Sequence, residues 1–295
     1  MSELFKRILV AVIGIPLTVF LIFAGGIPFT VAVAIISSMA LIELFKFFRK
    51  KGLHPFTKTA IFANLLFIVS TYLYIDNIIA DERGKLLFPA ILIFIIILFM
   101  LTGLWSKKQN TTLNVMASLG GMFYISVTFI FLILLRQYSD IYIIAQGELS
   151  IAHNLIAGKE PEFLLSLLIA IWLCDTAAYF VGKSVGKHKL FPSVSPKKTW
   201  EGAIGGFFGA VAGFYICTQL PILLKDFPLS HAIIIGIIIG VTGQLGDLAE
   251  SKLKRDTGIK DSSAVLPGHG GILDRFDSIM FVIPFVFIYL YFVNL

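Results

Sequence analysis

The sequence is poor in charge. Asp, Glu, Lys and Arg make up only 14% of its 295 residues, whereas an average soluble protein carries roughly 25% charged residues. Hydrophobic residues make up 57%, and Phe alone occupies 28 positions. This balance argues against a soluble globular domain and favours an integral membrane protein with several membrane-spanning segments.

Cysteine is also scarce, and its positions exclude two kinds of site. Cys174 and Cys217 both lie inside apolar runs, which leaves no disulfide framework and is typical of small apolar packing residues. A zinc site built from Cys and His is excluded because neither cysteine lies near the polar stretches. The net charge of +6 comes without an Arg-rich arm or a basic stripe with interleaved aromatics, so we expect no nucleic-acid partner.

Long apolar runs are the dominant feature of the chain. A helix needs about 20 apolar residues to cross roughly 30 Å of hydrocarbon. About nine such runs occur, at 8–24, 29–48, 59–76, 86–104, 113–135, 163–182, 202–220, 231–249 and 278–294. The alternating pattern of a membrane β-barrel is missing. The sequence therefore predicts an all-α polytopic integral membrane protein.

The distribution of basic residues predicts the orientation of these helices. Most of the 24 Lys and Arg residues fall at the N-terminus or in the loops after the second, fourth, sixth and eighth runs. Loops rich in Lys and Arg stay on the cytoplasmic side. We therefore expect a cytoplasmic N-terminus and a membrane contact with anionic lipid.

Three regions are predicted along the chain. Residues 1–135 form an N-terminal transmembrane region of five spans, and residues 136–162 form an extracytoplasmic connecting segment. Residues 163–295 form a C-terminal catalytic transmembrane region with cytoplasmic loops 183–201 and 250–277. The first region carries little chemistry. Its Glu43 is expected to reach the membrane interface beside Lys46.

The polar stretch from Ser251 to Asp277 combines residues suited to phosphoryl transfer. Asp274 and Asp277 stand three residues apart, and Asp247 precedes the stretch. Carboxylates are hard oxygen ligands that suit Mg²⁺, and the pair Gly270-Gly271 would let backbone N–H groups approach an anion. His269 could bind a metal, act in acid–base chemistry, donate to a phosphate or hold the loop; these alternatives stay open.

Two further features point to the same region. Asp175 lies inside a membrane run, where a carboxylate is costly and often functional. In the loop after that run, Lys197 and Lys198 stand between Pro196 and a new helix, either as interface anchors or as cations over phosphate. Thr199 and Glu201 are placed to cap the helix. The spacing from Gly182 onward is one residue short of a phosphate-binding P-loop.

The stretch resembles the signature of the phosphatidate cytidylyltransferases, also called CDP-diacylglycerol synthases. The matching positions, with the expected spacings, are Ser251, Lys254, Arg255, Lys260, Asp261, Pro267, His269, Gly270, Gly271, Asp274, Arg275 and Asp277. The segments Asp175–Tyr179 and Ser195–Gly202 are similar to that family as well. The resemblance covers about residues 165–280.

The resemblance implies that CTP and phosphatidic acid condense to CDP-diacylglycerol and pyrophosphate with Mg²⁺, and that a second, monovalent cation such as K⁺ and a homodimer take part. It implies metal ligation by Asp247, Asp274, Asp277 and Asp175. It assigns catalytic roles to Asp247, Asp274, Asp277, Lys254 and His269. It places substrate contacts at Lys197, Lys198, Ser251, Arg255, Lys260, Asp261, Gly270, Gly271 and Arg275. The site is expected to face the cytoplasm, in what the family suggests is a bacterial cytoplasmic membrane.

Two alternatives from the residues stay open. A transporter or channel would explain many spans and an intramembrane Asp, but it predicts several midplane charges and internal repeats. The chain shows only Asp175 in such a position and no repeat. A CTP-dependent enzyme acting on another lipid is the second alternative.

Overall fold

Helices make up most of the computed structural model, which describes residues 3–75, 82–138, 155–259, 262–263 and 270–293. The helices are α1 (Glu3–Ala24), α2 (Gly26–Lys50), α3 (Thr57–Ile75), α4 (Glu82–Leu104), α5 (Thr111–Arg136), α6 (Glu160–Val185), α7 (Trp200–Gln219), α8 (Leu229–Ile238), α9 (Gln244–Asp256) and α10 (Leu273–Val293). A π-helical segment, Ile239–Gly243, joins α8 to α9.

The predicted fold class is confirmed. Within the described ranges, eight helical segments are long and apolar enough to cross a membrane, and α1 adds a shorter apolar stretch, Val10–Ala24. α8, the π-helical segment and α9 form one of the eight, Leu229–Asp256. The structure adds one feature that the sequence did not predict, a two-stranded antiparallel sheet between α6 and α7. Its strands are β1 (Lys189–Phe191) and β2 (Ser195–Thr199).

The contacts divide the chain into two units. The first contains Met1–Gly147 and Thr257–Leu273, and the second contains Glu148–Asp256 and Asp274–Leu295. The three regions predicted from the sequence stay predictions, and residues 139–154 of the connecting segment lie outside the described residues.

In the first unit, α2, α3 and α5 pack through a buried polar cluster. The fully buried amide of Asn64 on α3 donates to the hydroxyl of Ser37 at 2.9 Å and accepts from the hydroxyl of Ser126 at 2.8 Å. A polar side chain in an apolar interior is stable only when its hydrogen bonds are satisfied. This cluster therefore fixes the relative register of three apolar helices that could otherwise slide.

Glu43 is the second buried polar group of this unit, and the expectation that it reaches the interface is wrong. Its side chain is only 1% exposed. Its carboxylate accepts from the backbone N–H groups of Ile272 at 3.1 Å and Leu273 at 2.8 Å, and from the hydroxyls of Ser262 and Ser263. Four donors compensate the loss of water, and the carboxylate caps the start of α10 where the helix dipole favours negative charge.

In the second unit, α6 and α7 approach closely because glycines line one face of α7. A Cβ at Gly209 would lie 2.5 Å from the Cβ of Ala177, and one at Gly206 would lie 3.0 Å from the backbone oxygen of Cys174. Small residues at helix interfaces let backbones come together in a membrane. Gly236 and Gly240 allow a similar approach to α7, since a Cβ at either position would lie within 3.0 Å of a Cα of that helix.

Candidate active site

A cavity of about 430 Å³ lies within the second unit. Its walls come from α6, the two-stranded sheet, the start of α7 and the start of α9. The polar groups that line it are Asp175, Lys183, Lys197, Lys198, Thr199, Gln244 and Asp247. Ala178, Tyr179, Leu190 and Ala203 supply apolar surface beside them. The cavity thus combines cations, carboxylates and an apolar wall in one place.

The sheet and the cap of α7 hold the two lysines at this cavity. β2 pairs with β1 in the register Lys189 to Thr199. The hydroxyl of Thr199 accepts from the backbone N–H of Gly202 at 3.2 Å, which confirms the predicted cap. Glu201 does not complete a capping box as expected. Its carboxylate instead accepts from the backbone N–H of His188 and contacts the His188 ring at 2.6 Å.

Gly186 and Gly182, the glycines whose spacing differs from that of a P-loop, pack against Thr199. A Cβ at Gly186 would lie 2.6 Å from the hydroxyl oxygen of Thr199. A Cβ at Gly182 would lie 3.1 Å from the same hydroxyl oxygen. Both glycines therefore make room for the side chain of Thr199, the N-cap of α7.

Lys198 and Asp247 form the central ion pair of the cavity. The Lys198 Nζ donates to the Asp247 Oδ2 at 2.6 Å, and both side chains are about one-third exposed. The hydroxyl of Ser251, one turn further along α9, donates to the Asp247 Oδ1 at 3.2 Å. The structure thus brings together three predicted site residues that stand up to 53 positions apart in the sequence.

Asp247 also belongs to a group of three carboxylates with Asp175 and Asp277. The charges of these three side chains interact with one another. Gly246 makes this approach possible, because a Cβ there would lie 2.5 Å from the backbone oxygen of Asp277. Mutually repelling carboxylates need cations near them. Lys198 and Arg275 supply part of that charge at Asp175.

Asp274 pairs with a different lysine from the one that contacts Asp247. The Lys254 Nζ donates to the Asp274 Oδ1 at 2.7 Å and also contacts the carboxylate of Glu250. Glu250 is 1% exposed, and Lys254 and Asp274 are 14% and 11% exposed. This buried ion triad joins α9 to the first turn of α10. Asp247 and Lys254 on α9 thus take part in two ion pairs, with Lys198 and with Asp274 respectively.

The remaining predicted residues have varied surroundings. The Arg255 Nε donates to the backbone oxygen of Val194 at 3.1 Å, which ties α9 to the loop between β1 and β2. Arg275 is exposed on the first turn of α10. Gly270 has φ +83°, a conformation that favours glycine. Gly271 leaves room for Glu43, since a Cβ there would lie 2.5 Å from the Glu43 Oε2. Lys260, Asp261 and His269 lie outside the described residues.

The donor set of the cavity fits a magnesium ion shared with a substrate. In the part of the chain that the structure describes, no three Asp, Glu, His or Cys side chains are grouped so that they could hold an ion by themselves. Mg²⁺ is usually bound by one or two carboxylates together with substrate phosphates and water. Asp175 and Asp247 line the cavity and meet that requirement.

Comparison with known proteins agrees with these features. A model of the cytidylyltransferase family matches residues 5–293. The chain belongs to the cytidylyltransferase family. It is 34% identical over 294 residues to a phosphatidate cytidylyltransferase of Bacillus subtilis, with 97% of each chain covered. It is 34% identical to one of Synechocystis over 297 residues, covering 96% of this chain and 94% of the relative. It is 50% identical over 125 residues to one of Staphylococcus aureus, covering 42% and 46%.

Three side chains of this cytidylyltransferase family member were missed at the sequence level. Glu250 was not predicted to be a site residue, yet it is the most buried partner of Lys254. Lys183 was counted as a loop cation, and Gln244 was not considered, yet both line the cavity. The spacing of Glu250 and Lys254, four residues apart on a helix, could have indicated their contact. No sequence signal indicates that Gln244 faces a cavity.

Proposed function

We propose that this chain is a phosphatidate cytidylyltransferase that transfers the CMP group of CTP to phosphatidic acid. A phosphate oxygen of phosphatidic acid forms a bond to the α-phosphorus of CTP. The bond between the α-phosphorus and the oxygen that bridges to the β-phosphorus breaks. The products are CDP-diacylglycerol and pyrophosphate. Family membership and two relatives named phosphatidate cytidylyltransferase, each matched over nearly the whole chain, support this reaction.

The observation that carries the proposal is the mixed lining of the cavity in a protein of membrane-spanning helices. The lysines at positions 183, 197 and 198 offer positive charge to phosphates, and Asp175 and Asp247 offer oxygen ligands. The lipid phosphate is already an anionic nucleophile, so an activated Ser or Cys is not required. The main barrier is repulsion between two anions, and fixed positive charge lowers it.

The charged residues of the site are expected to have different roles in lowering this repulsion. Lys198, held at 2.6 Å by Asp247, presents its charge in a fixed direction. Lys197 and Lys183 line the same cavity and can contact the triphosphate or the lipid phosphate. The triad of Lys254, Glu250 and Asp274 fixes the first turn of α10, and Asp277 follows three residues after Asp274 on the same helix. Rigid placement of charge is the main source of catalysis in phosphoryl transfer.

We further propose that Mg²⁺ is the cofactor, with Asp247 and Asp175 as its first protein ligands and Asp277 and Asp274 as the remaining predicted ones. A bound Mg²⁺ would neutralise phosphate charge and stabilise the pyrophosphate leaving group. A second, monovalent cation such as K⁺ and a homodimer complete the proposal. The site is proposed to face the cytoplasm of a bacterial cell, where soluble CTP meets the lipid head group at the membrane surface.

The test is turnover by the purified full-length chain. The protein in detergent is incubated with labelled CTP, phosphatidic acid and Mg²⁺, and CDP-diacylglycerol and pyrophosphate are measured together. Equal amounts of both products support the proposal. Product that forms only with a different lipid acceptor would support the rival enzyme, and ion flux in vesicles without any CDP-lipid would support a transporter or channel.

A further inference from the structure

Gln244 is a polar residue of the cavity to which the reaction assigns no role. It is the first residue of α9 and follows the π-helical segment Ile239–Gly243. It lines the cavity together with Asp175 and Asp247. π-helical turns inside α-helices are often found at functional sites, which makes the side chain at this turn a candidate for substrate contact.

The hydrogen bonds of Gln244 determine which way its amide points. Its Nε2 donates to the backbone oxygen of Gly240 at 2.6 Å and to the backbone oxygen of Ala203 at 3.0 Å. A carbonyl oxygen can only accept, so the amide NH₂ must face these two atoms. The reversed amide would place oxygen against two oxygens and is excluded. Both N–H donors of Gln244 are thereby used within the protein.

The remaining polar atom is the side-chain oxygen Oε1. Among the described residues, the hydrogen bonds of the Gln244 side chain are the two made by Nε2, and the residue is half-buried at the cavity wall. Since the π-helical segment and α7 hold the amide from two sides, Oε1 is a preoriented neutral acceptor. Preorganised acceptors discriminate strongly against ligands that lack the matching donor.

We propose that Gln244 Oε1 accepts a hydrogen bond from a neutral donor of the nucleotide and so contributes to the choice of CTP. CTP carries two kinds of neutral donor, the amino group of its base and the hydroxyls of its ribose, whereas the phosphates of both substrates are acceptors. The three cavity lysines suit the phosphates, and an uncharged acceptor suits the nucleoside. This proposal rests on the proposed function, since it names the part of CTP that this side chain recognises.

The experiment compares nucleotides on Gln244→Met, a substitution that keeps the length of the side chain. It removes the oxygen and also the NH₂ group that donates to Gly240 and Ala203, so the ratios between nucleotides carry the test. The values of kcat/KM are measured with CTP, with UTP, which lacks the amino group, and with 2′- and 3′-deoxy-CTP. We expect kcat/KM for CTP to fall by roughly tenfold, which corresponds to the loss of one net hydrogen bond. For the analogue that lacks the relevant donor, kcat/KM should change by less than about twofold, because that hydrogen bond is already missing. If that analogue is UTP, the donor is the amino group; if it is a deoxy nucleotide, the donor is the ribose hydroxyl.

The matched control is Leu245→Met, at the neighbouring residue of α9, which is 52% exposed and does not line the cavity. We expect it to leave the ratios between nucleotides unchanged. An equal loss with every nucleotide in Gln244→Met would overturn the proposal and leave Gln244 with a structural role. The proposal would also be overturned if added Mg²⁺ restored kcat/KM of the variant with every nucleotide, since Oε1 would then be a cation ligand.

A second measurement does not depend on the variant or on turnover. The thermal unfolding of the wild-type chain in detergent is followed with each nucleotide, because a ligand that binds only the folded state raises Tm. We expect CTP to raise Tm more than UTP or more than a deoxy nucleotide. Equal protection by all of them overturns the proposal about Gln244. Absence of CDP-lipid in the turnover assay would instead count against the proposed function, while the protection pattern would still test nucleotide recognition.

Discussion

The Nζ of Lys198 lies 2.6 Å from the Oδ2 of Asp247, and this pair joins the strand β2 to the helix α9 across the cavity. Lys197, the preceding residue on β2, lines the same cavity but is exposed. The two adjacent lysines therefore differ: Lys198 is held by an ion pair with Asp247, whereas Lys197 is exposed. Nothing in the sequence assigned one lysine as an interface anchor and the other as a phosphate contact. Because their surroundings differ in the structure, substitutions of the two can be compared directly.

Replacing Lys198 by Ala should lower kcat/KM for CTP by roughly 10- to 100-fold, because a charge-assisted hydrogen bond contributes about 1.5–3 kcal/mol. Lys197→Ala should have a smaller effect, since its side chain is less constrained. Steady-state kinetics over a range of CTP concentrations measure both. Equal effects of the two variants would contradict a special role for the pair with Asp247.

Asp274→Asn should abolish most turnover while the protein stays folded. The fold is retained because Lys254 keeps its second partner, the buried carboxylate of Glu250. We expect a loss of at least about 100-fold in kcat if Asp274 also binds metal, as electrostatic groups at phosphoryl-transfer sites commonly contribute that much. Turnover is measured beside thermal unfolding in detergent. Near-normal turnover would remove Asp274 from the metal ligands and leave it as a partner of Lys254.

Lys254→Met should destabilise the protein by about 3–5 kcal/mol, because it leaves two buried carboxylates without their shared cation. The double variant Lys254→Met with Glu250→Gln should recover part of that loss, since only one of the carboxylates is then uncompensated. Unfolding free energies of the single and double variants form a double-mutant cycle. Strict additivity of the two substitutions would show that Glu250 and Lys254 do not interact.

Glu43→Gln should destabilise the first unit by about 1–3 kcal/mol, the cost of leaving buried donors unsatisfied. The amide of Gln offers one acceptor oxygen, and its NH₂ group would face N–H or O–H donors that now meet the Glu43 carboxylate. Ser263→Ala, which removes one donor and keeps the acceptor, is the control and should cost less. Thermal unfolding in detergent compares them. A stability equal to that of the wild type would mean that the carboxylate does not hold the start of α10.

Gly209→Ala should weaken the packing of α6 on α7 by about 1–3 kcal/mol, because its new methyl group would meet the Cβ of Ala177 at 2.5 Å. Gly120→Ala on α5 is the matched control, since nothing lies within 4 Å of its added methyl group. Alanine has the higher helix propensity, so this control should be neutral or slightly stabilising. The two melting temperatures are compared in the same detergent, and the reverse order would contradict glycine-dependent packing.

The amino-acid sequence by itself determined the class of fold. Apolar runs of membrane-spanning length have few alternatives to helices, because backbone polar groups in lipid must be satisfied internally. The carboxylates and lysines of the polar stretches were also recognisable in the sequence, since charged residues in such an apolar chain are conspicuous. The cap by Thr199 was predicted as well, because helix caps depend on local spacing.

Only the tertiary structure decided which of these charges meet. Lys198 and Asp247 are 49 positions apart, and their contact requires the sheet, the close packing of α7 and the turn into α9. Glu43 is more than 200 positions from Leu273. Its neighbours in the sequence predicted a position at the membrane interface, because they do not indicate these distant hydrogen-bond partners. The orientation of the Gln244 amide depends on a carbonyl of another helix. Hydrogen bonds and ion pairs between distant segments depend on the packing of whole helices, and no local spacing encodes them.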